Sequence, residues 1–368
     1  MSDEIPLRND HYVYILGAGY SVARGLPLIN SFLNKMRDAA LWCEGAGRSD
    51  ESSAIRDVLK FRLSAAAAAY RVPIDLENIE ELFSLASAAD PKISRSVKIS
   101  IAATLAYCCE TSPDPELSIP PGNSAVLDLV PFASPNNRVG GATDQIIGLY
   151  DAFAVRLLGL SGRGQSSIVS FNYDDLVERS IEKIGARFHY GFSGRHEVRP
   201  GVPYSHDGIA ILKLHGSINW AYPGARGRMF TVFKDYSEVY AAGLVPEIVP
   251  PTWNKTIADR LAEVWFTAID KLSTATKIVI IGFSMPKTDL HFKYLLAAGL
   301  KNNFSLREIV FVDPSATIKE RASEVLAERE IDKGRVRFIE SGLSDLIGTR
   351  TSPAGDRYSF NGQEGRPY

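Results

Sequence analysis

The chain has 368 residues, of which 45% are hydrophobic and 23% charged, and this composition is typical of a globular protein with two domains or with one domain and an insertion. Its formal net charge of −2 argues against a general nucleic-acid binder and against a binder of anionic membranes. Three cysteines, Cys43, Cys108 and Cys109, contain no CxxC pair, so we expect neither a disulfide framework nor a metal site.

The N-terminal ten residues are polar and lack the apolar core of a signal peptide. No apolar run in the sequence reaches transmembrane length, so we expect a cytoplasmic protein that does not enter membranes. Residues 12–16 (YVYIL) then predict a short buried strand, which ends at Gly17 and Gly19.

Residues 30–160 predict a helical insertion. Asn30 is the predicted N-cap of a helix that runs to about Trp42, and residues 45–52 are typical of a polar linker. Further helices are predicted at residues 59–70, 76–88, 93–109 and 144–160. Convincing strand alternation is absent from this region, and residues 111–123 predict a loop rich in proline and serine.

An α/β pattern resumes at residue 166. Strands are predicted at residues 167–171, 209–214, 277–283, 309–312 and 336–339, with helices at 174–184, 256–275 and 317–327. This alternation favours a doubly wound, Rossmann-like parallel sheet. We predict that residues 1–29 and 161–350 form this α/β domain, that residues 30–160 are inserted into it, and that residues 351–368 are a flexible tail.

The first predicted strand leads into GAGYS, residues 17–21, before a helix. Glycines let the backbone approach a pyrophosphate, and a helix N-terminus supplies amides for it. The segment is not a standard dinucleotide fingerprint, because Val22 stands where the third glycine would be and no acidic residue ends a second strand about twenty residues on. A tight structural turn explains the two glycines almost as well.

Two further predicted strands end in residues suited to catalysis. Asn172 and Asp174 follow the strand at 167–171, and His215 follows the strand at 209–214 on a Gly-Ser turn. The carboxyl edge of a parallel sheet is where such folds bind ligands. A helix cap would be a sufficient role for Asp174, but it explains Asn172 less well.

The last two strands of interest end in Gly282-Phe283-Ser284 and in Asp313. The first segment again offers small and hydroxyl residues after a strand. The Asp313 carboxylate is well placed to accept hydrogen bonds from ribose hydroxyls. Either segment could instead be a simple cap.

The segments GAGYS with GLP, FNYD, KLHGS, GFS and VDPS, in this order, resemble the sirtuin family, and more closely its bacterial sirtuin-like branch in antiphage defence. The resemblance covers residues 11–30 and 166–315. It implies a Rossmann-like sheet that binds NAD⁺ in an orientation inverted relative to dehydrogenases, which accommodates the missing third glycine.

The resemblance also implies where NAD⁺ would bind. The pyrophosphate and the neighbouring ribose would contact Gly17, Ala18, Gly19 and Ser21. The adenosine side would be lined by Gly282 and Ser284, and Asp313 would receive the adenosine ribose.

The catalytic roles implied by the resemblance fall on Asn172 and His215. Asn172 would hold the nicotinamide ribose and the attacking water, with support from Asp174. His215 would be the general base, acting through the ribose hydroxyls. Asn can fix a water without adding charge, and a neutral His can accept a proton.

The sequence departs from the deacylating sirtuins because the two CxxC pairs of their zinc module are absent. We therefore predict an NAD⁺ glycohydrolase that yields ADP-ribose and nicotinamide, as an NAD⁺-depleting effector of antiphage defence without a metal. The resemblance to this family also suggests a homo-oligomer with a separately encoded helicase-type ATPase as partner. The alternatives are an NAD⁺-dependent protein deacylase and a non-catalytic sensor of NAD⁺ or ADP-ribose.

Overall fold

The structure, a computed structural model, describes residues 10–69, 71, 75–119, 145–161, 164–192, 196–223, 230–252, 261–285, 290–326 and 334–348. The predicted tail at residues 351–368 lies outside these ranges. The strands are β1 Asp10–Leu16, β2 Glu116–Ile119, β3 Gln145–Gly148, β4 Gly164–Ser170, β5 Phe188–His189, β6 Glu197–Val198, β7 Ile209–Lys213, β8 Gly216–Ala221, β9 Thr231–Val232, β10 Pro246–Ile248, β11 Lys277–Ile281, β12 Glu308–Val312 and β13 Val336–Ile339. The helices are α1 Ala18–Ser21, α2 Phe32–Gly45, α3 Ser49–Ala69, α4 Ile79–Ala89, α5 Pro91–Thr111, α6 Leu149–Ser161, α7 Leu176–Lys183, α8 Tyr236–Ala241, α9 Ala262–Ser273, α10 Leu290–Leu300, α11 Ile318–Ser323 and α12 Leu343–Gly348.

Seven parallel strands form the central sheet in the order β13-β12-β11-β1-β4-β7-β5. The chain first builds the half that contains β4, β5 and β7, and then returns to the other side of β1 with β11, β12 and β13. A topological switch point therefore lies at the carboxyl ends of β1, β4 and β11, where open α/β sheets form their ligand crevice. The predicted doubly wound α/β fold is confirmed.

The strands next to the switch point are apolar runs that are covered on both faces. Residues 13–16 of β1 and 278–281 of β11 are all buried, and the two runs pair in register. α6 covers β1 on one face, where the ring of Phe153 lies 5.6 Å from that of Tyr14 in an edge-to-face contact. Continuous β-branched and aliphatic runs are typical of parallel strands buried in this way.

The helices α2 to α5 pack against one another, in agreement with the helices predicted for this region. Two local predictions are wrong. The helix α2 has Ser31 rather than Asn30 as its N-cap. Residues 45–52 are not a linker, because α3 begins at Ser49 and the ion pair of Arg48 with the buried Glu51 fixes its first turn.

The sequence analysis did not predict the two-stranded antiparallel sheet that β2 forms with β3. β2 lies in the predicted loop at 111–123, and β3 occupies the start of the helix predicted at 144–160. Each strand has four residues, too few for an alternation to be recognised, and the partners are far apart in sequence. The division of the chain at residues 29/30 and 160/161 remains a prediction.

A second sheet, in the order β10-β8-β9-β6, was also missed. β7 passes into β8 through the turn Leu214–His215, so Gly216 and Ser217 begin a strand rather than form the predicted turn. Gly216 has a φ of 79°, and a Cβ there would lie 2.1 Å from the carbonyl oxygen of Glu247 on the adjoining β10 segment. Only glycine permits this conformation and this close pairing.

Within the described residues, no helix is both long and apolar enough to cross a membrane. The same residues contain no group of three or more His, Cys, Asp or Glu side chains that could hold a metal ion. The three cysteines are buried free thiols.

His11 on β1 predicts a dependence of stability on pH. Burial, with a smaller contribution from the nearby Lys271 ammonium, lowers the pKa of His11 to about 4. The unfolded chain then takes up a proton on His11 below about pH 6.5 while the folded chain does not. The free energy of unfolding should fall by at most about 3 kcal/mol between pH 6.5 and pH 4.

Urea denaturation at a series of pH values measures this loss. The variant His11→Asn should show a smaller dependence, whereas His196→Asn should keep it unchanged. An unchanged pH slope in His11→Asn would contradict the assignment.

Candidate active site

Two glycine-containing loops meet at the switch point, one after β1 and one after β11. The N–H of Gly17 donates to the carbonyl of Ile281 at 3.0 Å, and the N–H of Gly19 donates to the carbonyl of Gly282 at 2.8 Å. Gly282 has a φ of 59°, and a Cβ there would lie 2.3 Å from the backbone nitrogen of Tyr20. These glycines are therefore required for backbone-to-backbone contact between the loops.

The hydrogen bonds of this contact decide which amides face a ligand. The N–H groups of Gly17 and Gly19 are engaged by the second loop, while Ala18 at the start of α1 is exposed and its N–H takes no part in that contact. The short α1 offers no side-chain cap at Gly17. An anion approaching the loop would meet the amide of Ala18 before those of the glycines.

Asn172 joins the end of β4 to the loop after β1. Its Nδ2 donates to the carbonyl of Gly17 at 2.9 Å and to Oγ of Ser21 at 3.1 Å. The residue is 8% exposed, so its amide is held in a nearly closed environment. A helix cap does not explain these contacts, because Asn172 bonds across 155 residues of sequence.

Asp174 is fully enclosed in the same corner. Its Oδ2 accepts a hydrogen bond from Ser21 Oγ at 2.8 Å, and its Oδ1 accepts one from the N–H of Leu176 at 3.3 Å. Burial raises the pKa of the Asp174 carboxyl, and the Lys213 ammonium opposes that rise. Asp174 thus accepts a hydrogen bond from the first residue of α7 and also supports Ser21.

Lys213 at the end of β7 is a buried cation that the sequence analysis missed. Its side chain is 1% exposed, and Nζ forms an ion pair with Glu178 Oε1 at 3.1 Å. Nζ also donates to the carbonyls of Tyr173 and Asp174, in the turn that carries Asn172. The ammonium therefore fixes the backbone of that turn.

The buried polar network continues from Glu178 into the second sheet. Tyr190 Oη donates to Glu178 Oε1 at 3.2 Å, and Asn219 Nδ2 donates to Tyr190 Oη at 3.2 Å. Ser217 Oγ then donates to Asn219 Oδ1 at 2.6 Å. A satisfied network of this kind rigidifies the elements that it connects.

His215 lies in the turn between β7 and β8 and is 5% exposed. Its ring meets that of Phe171 edge-on at 5.3 Å and lies 6.2 Å from that of Tyr173. The backbone is also fixed, since the carbonyl of His215 accepts from the N–H of Val249 and that of Leu214 accepts from Trp265 Nε1. His215 therefore lies at the same carboxyl edge of the sheet as Asn172, after the neighbouring strand β7.

An aromatic cluster closes the space between these residues and the loop after β11. Phe283 packs against Phe171 and Phe292, with centroid distances of 4.6 Å to each. The next buried residue, Met285, has a φ of 47°, which a non-glycine residue adopts at a cost of about 1–2 kcal/mol. The loop after β11 is thus held in a strained conformation beside the candidate site.

Two predicted ligand residues lie apart from this corner. Ser284 is exposed, and its carbonyl accepts from Arg321 Nη1 at 3.0 Å. Asp313 is half-buried after β12, which β11 separates from β1, and its Oδ1 accepts from the N–H of Ser315 at 2.9 Å. Among the described residues, the hydrogen bonds of Ser284 and Asp313 lead to Arg321 and Ser315.

The structure therefore brings together most, but not all, of the residues that the sequence singled out. The residues in mutual contact are Gly17, Gly19, Ser21, Asn172, Asp174 and Gly282. His215 joins them through Phe171. Ala18 is exposed, Ser284 lies in the exposed part of the loop after β11, and Asp313 follows β12 on the other side of β11.

Residues 166–333 match the family described as the SIR2-like domain. This part, just under half of the chain, is similar to that domain. It carries Asn172, Asp174, His215, Gly282, Ser284 and Asp313, whereas the loop at residues 17–21 lies before it. The match agrees with the resemblance to sirtuins over these residues.

Solved structures of Sir2 proteins are similar to the chain at low sequence identity. A structure of a Sir2 enzyme has 15% identity and a TM-score of 0.39, covering 94% of this chain and 95% of its own. A mutant Sir2 homologue in complex with ADP-ribose has 12% identity and a TM-score of 0.36, with 95% and 94% covered. Sir2Tm bound to a propionylated peptide has 12% identity and a TM-score of 0.37, with 91% and 90% covered. No curated protein matches the sequence of the chain.

Proposed function

We propose that the chain is an NAD⁺ glycohydrolase that uses water to cleave NAD⁺ into ADP-ribose and nicotinamide. The observation that carries the proposal is the placement of Asn172 and His215 after the neighbouring parallel strands β4 and β7. Asn172 contacts the loop after β1, and both residues lie in the part of the chain that matches the SIR2-like domain. An uncharged amide beside an imidazole suits the hydrolysis of an N-glycosidic bond.

In the proposed reaction the bond between C1′ of the ribose and the nicotinamide nitrogen breaks, and its electron pair neutralises the positive pyridinium ring. The ribose then has oxocarbenium character, as in other glycoside cleavages. Asn172 Oδ1 accepts no hydrogen bond from the described residues and would accept one from the attacking water. His215 would take the proton, acting through the ribose hydroxyls, and release it to solvent.

The remaining residues would bind the substrate. We assign the pyrophosphate to the exposed amide of Ala18 and to Ser21, with Gly17 and Gly19 giving the backbone its close approach. Gly282 and Ser284 would line the adenosine side, and Asp313 would bind the adenosine ribose hydroxyls. Asp174 would act indirectly by holding Ser21.

The proposal extends to the role of the protein in the cell. The chain would be a cytoplasmic effector of antiphage defence that depletes NAD⁺, needs no metal, and assembles into a homo-oligomer. A separately encoded helicase-type ATPase would be its partner. The resemblance of the five ordered motifs supports these assignments, and the missing CxxC pairs favour hydrolysis over protein deacylation.

Incubating the purified chain with NAD⁺ and resolving the products by chromatography tests the proposal. We expect ADP-ribose and nicotinamide in equal amounts without any added peptide. Nicotinamide release only after an acyl-lysine peptide is added would indicate a deacylase instead. Tight binding of NAD⁺ or ADP-ribose without turnover would indicate a sensor.

A further inference from the structure

A second concave site lies at the amino edge of the central sheet, opposite the candidate active site. The cleft has a volume of about 580 Å³, which is the size of a small-molecule site. Its walls are the starts of β4 and β7, the segment that leads into β5, and the last turn of α9. The residues that line it include Ser166, Arg187, His189, His206, Asp207 and Lys271.

Basic side chains outnumber acidic ones in this cleft. Arg187 and Lys271 line it, and neither takes part in an ion pair within the described part of the chain. His189 and His206 add two imidazoles, and Asp207 is the acidic residue of the lining. The positively charged side chains that line the cleft therefore outnumber the negatively charged ones.

The basic groups also lie close enough to repel one another. Burial lowers the pKa of His189, and the Lys271 ammonium and the His206 imidazole lower it further. Lys271 acts in the same direction on His11, which lies behind the cleft wall and contacts Ser167 Oγ at 3.0 Å. An anion bound among these groups would relieve this repulsion.

Uncharged donors complete the cleft. Ser166 is 9% exposed, and its buried Oγ has no hydrogen-bond partner within the described residues. His189 Nδ1 accepts from the N–H of Gly191 at 3.1 Å, so the neutral ring carries its proton on Nε2. Buried polar groups without a partner are uncommon in folded proteins, and a polar group of a ligand would satisfy this one.

The carboxyl end of α9 would repel an anion if its carbonyls were open. Several of them are already engaged: those of Asp270 and Lys271 accept from Ser273 and Thr274, and that of Leu272 accepts from Asn303 Nδ2. Lys271 itself lies in this last turn. The helix end therefore presents its cation, with its nearby carbonyls satisfied.

We propose that this cleft binds a small sugar phosphate. Lys271 and Arg187 hold the phosphate, since charge-assisted hydrogen bonds to phosphate are the strongest that these side chains form. The Asp207 carboxylate accepts hydrogen bonds from the sugar hydroxyls, a role that a free phosphate ion cannot fill. Because the site is at the opposite edge of the sheet, it is independent of the proposed NAD⁺ site.

Nuclear magnetic resonance of the full chain with labelled histidines tests the proposal, with ribose 5-phosphate, inorganic phosphate and ribose as probes. Ribose 5-phosphate should shift the His189 and His206 resonances saturably and more tightly than the other two probes do. Lys271→Gln should weaken this binding by about tenfold. The control Lys60→Gln, which removes an exposed lysine from α3, should leave it unchanged.

Three results would overturn the proposal. The first is the absence of a saturable shift at these histidines. The second is equal affinity in Lys271→Gln and Lys60→Gln. The third is binding that Asn172→Ala abolishes and Lys271→Gln leaves intact, which would place the probe at the opposite edge.

Discussion

Replacing His215 with alanine should lower NAD⁺ turnover by about 10²–10⁴-fold, the usual contribution of a general base. The imidazole lies at the end of β7 beside Phe171, and alanine leaves no group there to accept a proton from a ribose hydroxyl. Asn172→Ala should cause a comparable loss, because it removes both the proposed water site and the bonds to Gly17 and Ser21. Product formation measured by chromatography gives the rates.

Two further variants separate catalysis from folding. His215→Gln keeps a polar side chain of similar size in this buried turn, so it should fold and still lose activity. His196→Ala removes a half-buried histidine that packs against Tyr204, away from the crevice, and should retain activity. Full activity in a folded His215→Gln variant would refute the role of the imidazole.

Replacing Lys213 with methionine should lower the free energy of unfolding by about 3–5 kcal/mol. The substitution leaves Glu178 as a buried carboxylate without its cation, and it removes the donor to two carbonyls of the turn before α7. Burial already raises the pKa of Glu178, with Lys213 as the main opposing charge. Urea denaturation monitored by circular dichroism measures the loss.

The control is Lys183, whose side chain is 58% exposed and which forms an ion pair with Asp151. Lys183→Met should cost less than Lys213→Met, because the Lys183 ammonium is solvated and water can reach the Asp151 carboxylate in its place. Combining Lys213→Met with Glu178→Leu should recover much of the stability, since no buried charge of that pair is left. Equal losses in Lys213→Met and Lys183→Met would contradict the assigned role of Lys213.

Six strands of the central sheet could be predicted because they are apolar and separated by helices, whereas the two-residue β5 was missed. Residues 277–283 contain β-branched residues in succession, and the structure places β11 at Lys277–Ile281. The second sheet could not be predicted in this way. β6 and β9 have two residues each, and β8 is buried along its whole length, so none of them shows an alternation of buried and exposed residues.

Polar residues of the candidate site that follow a strand were predicted, whereas a polar residue inside a strand was missed. Asn172 and His215 stand out after apolar runs, whereas Lys213 is the last residue of β7, and a lysine there is ordinarily taken as exposed. Its position two residues before His215, in the segment KLHGS, was the signal that could have identified it as a site residue. The glycines were predicted for pyrophosphate contact, but their close contact with the loop after β11 depends on a partner segment that the local sequence does not reveal.

The order of the central sheet has a consequence for how the protein is made. β1 leaves the ribosome well before β11, but the loop after β1 rests on Gly282, which follows β11. A nascent chain that stops before Lys277 already carries Asn172 and His215 but lacks the segment on which Gly17 and Gly19 dock. Domains fold as units during synthesis, so the crevice is completed only after β11 has been made. If the chain hydrolyses NAD⁺, a copy that stops before Lys277 lacks the complete crevice and should not do so.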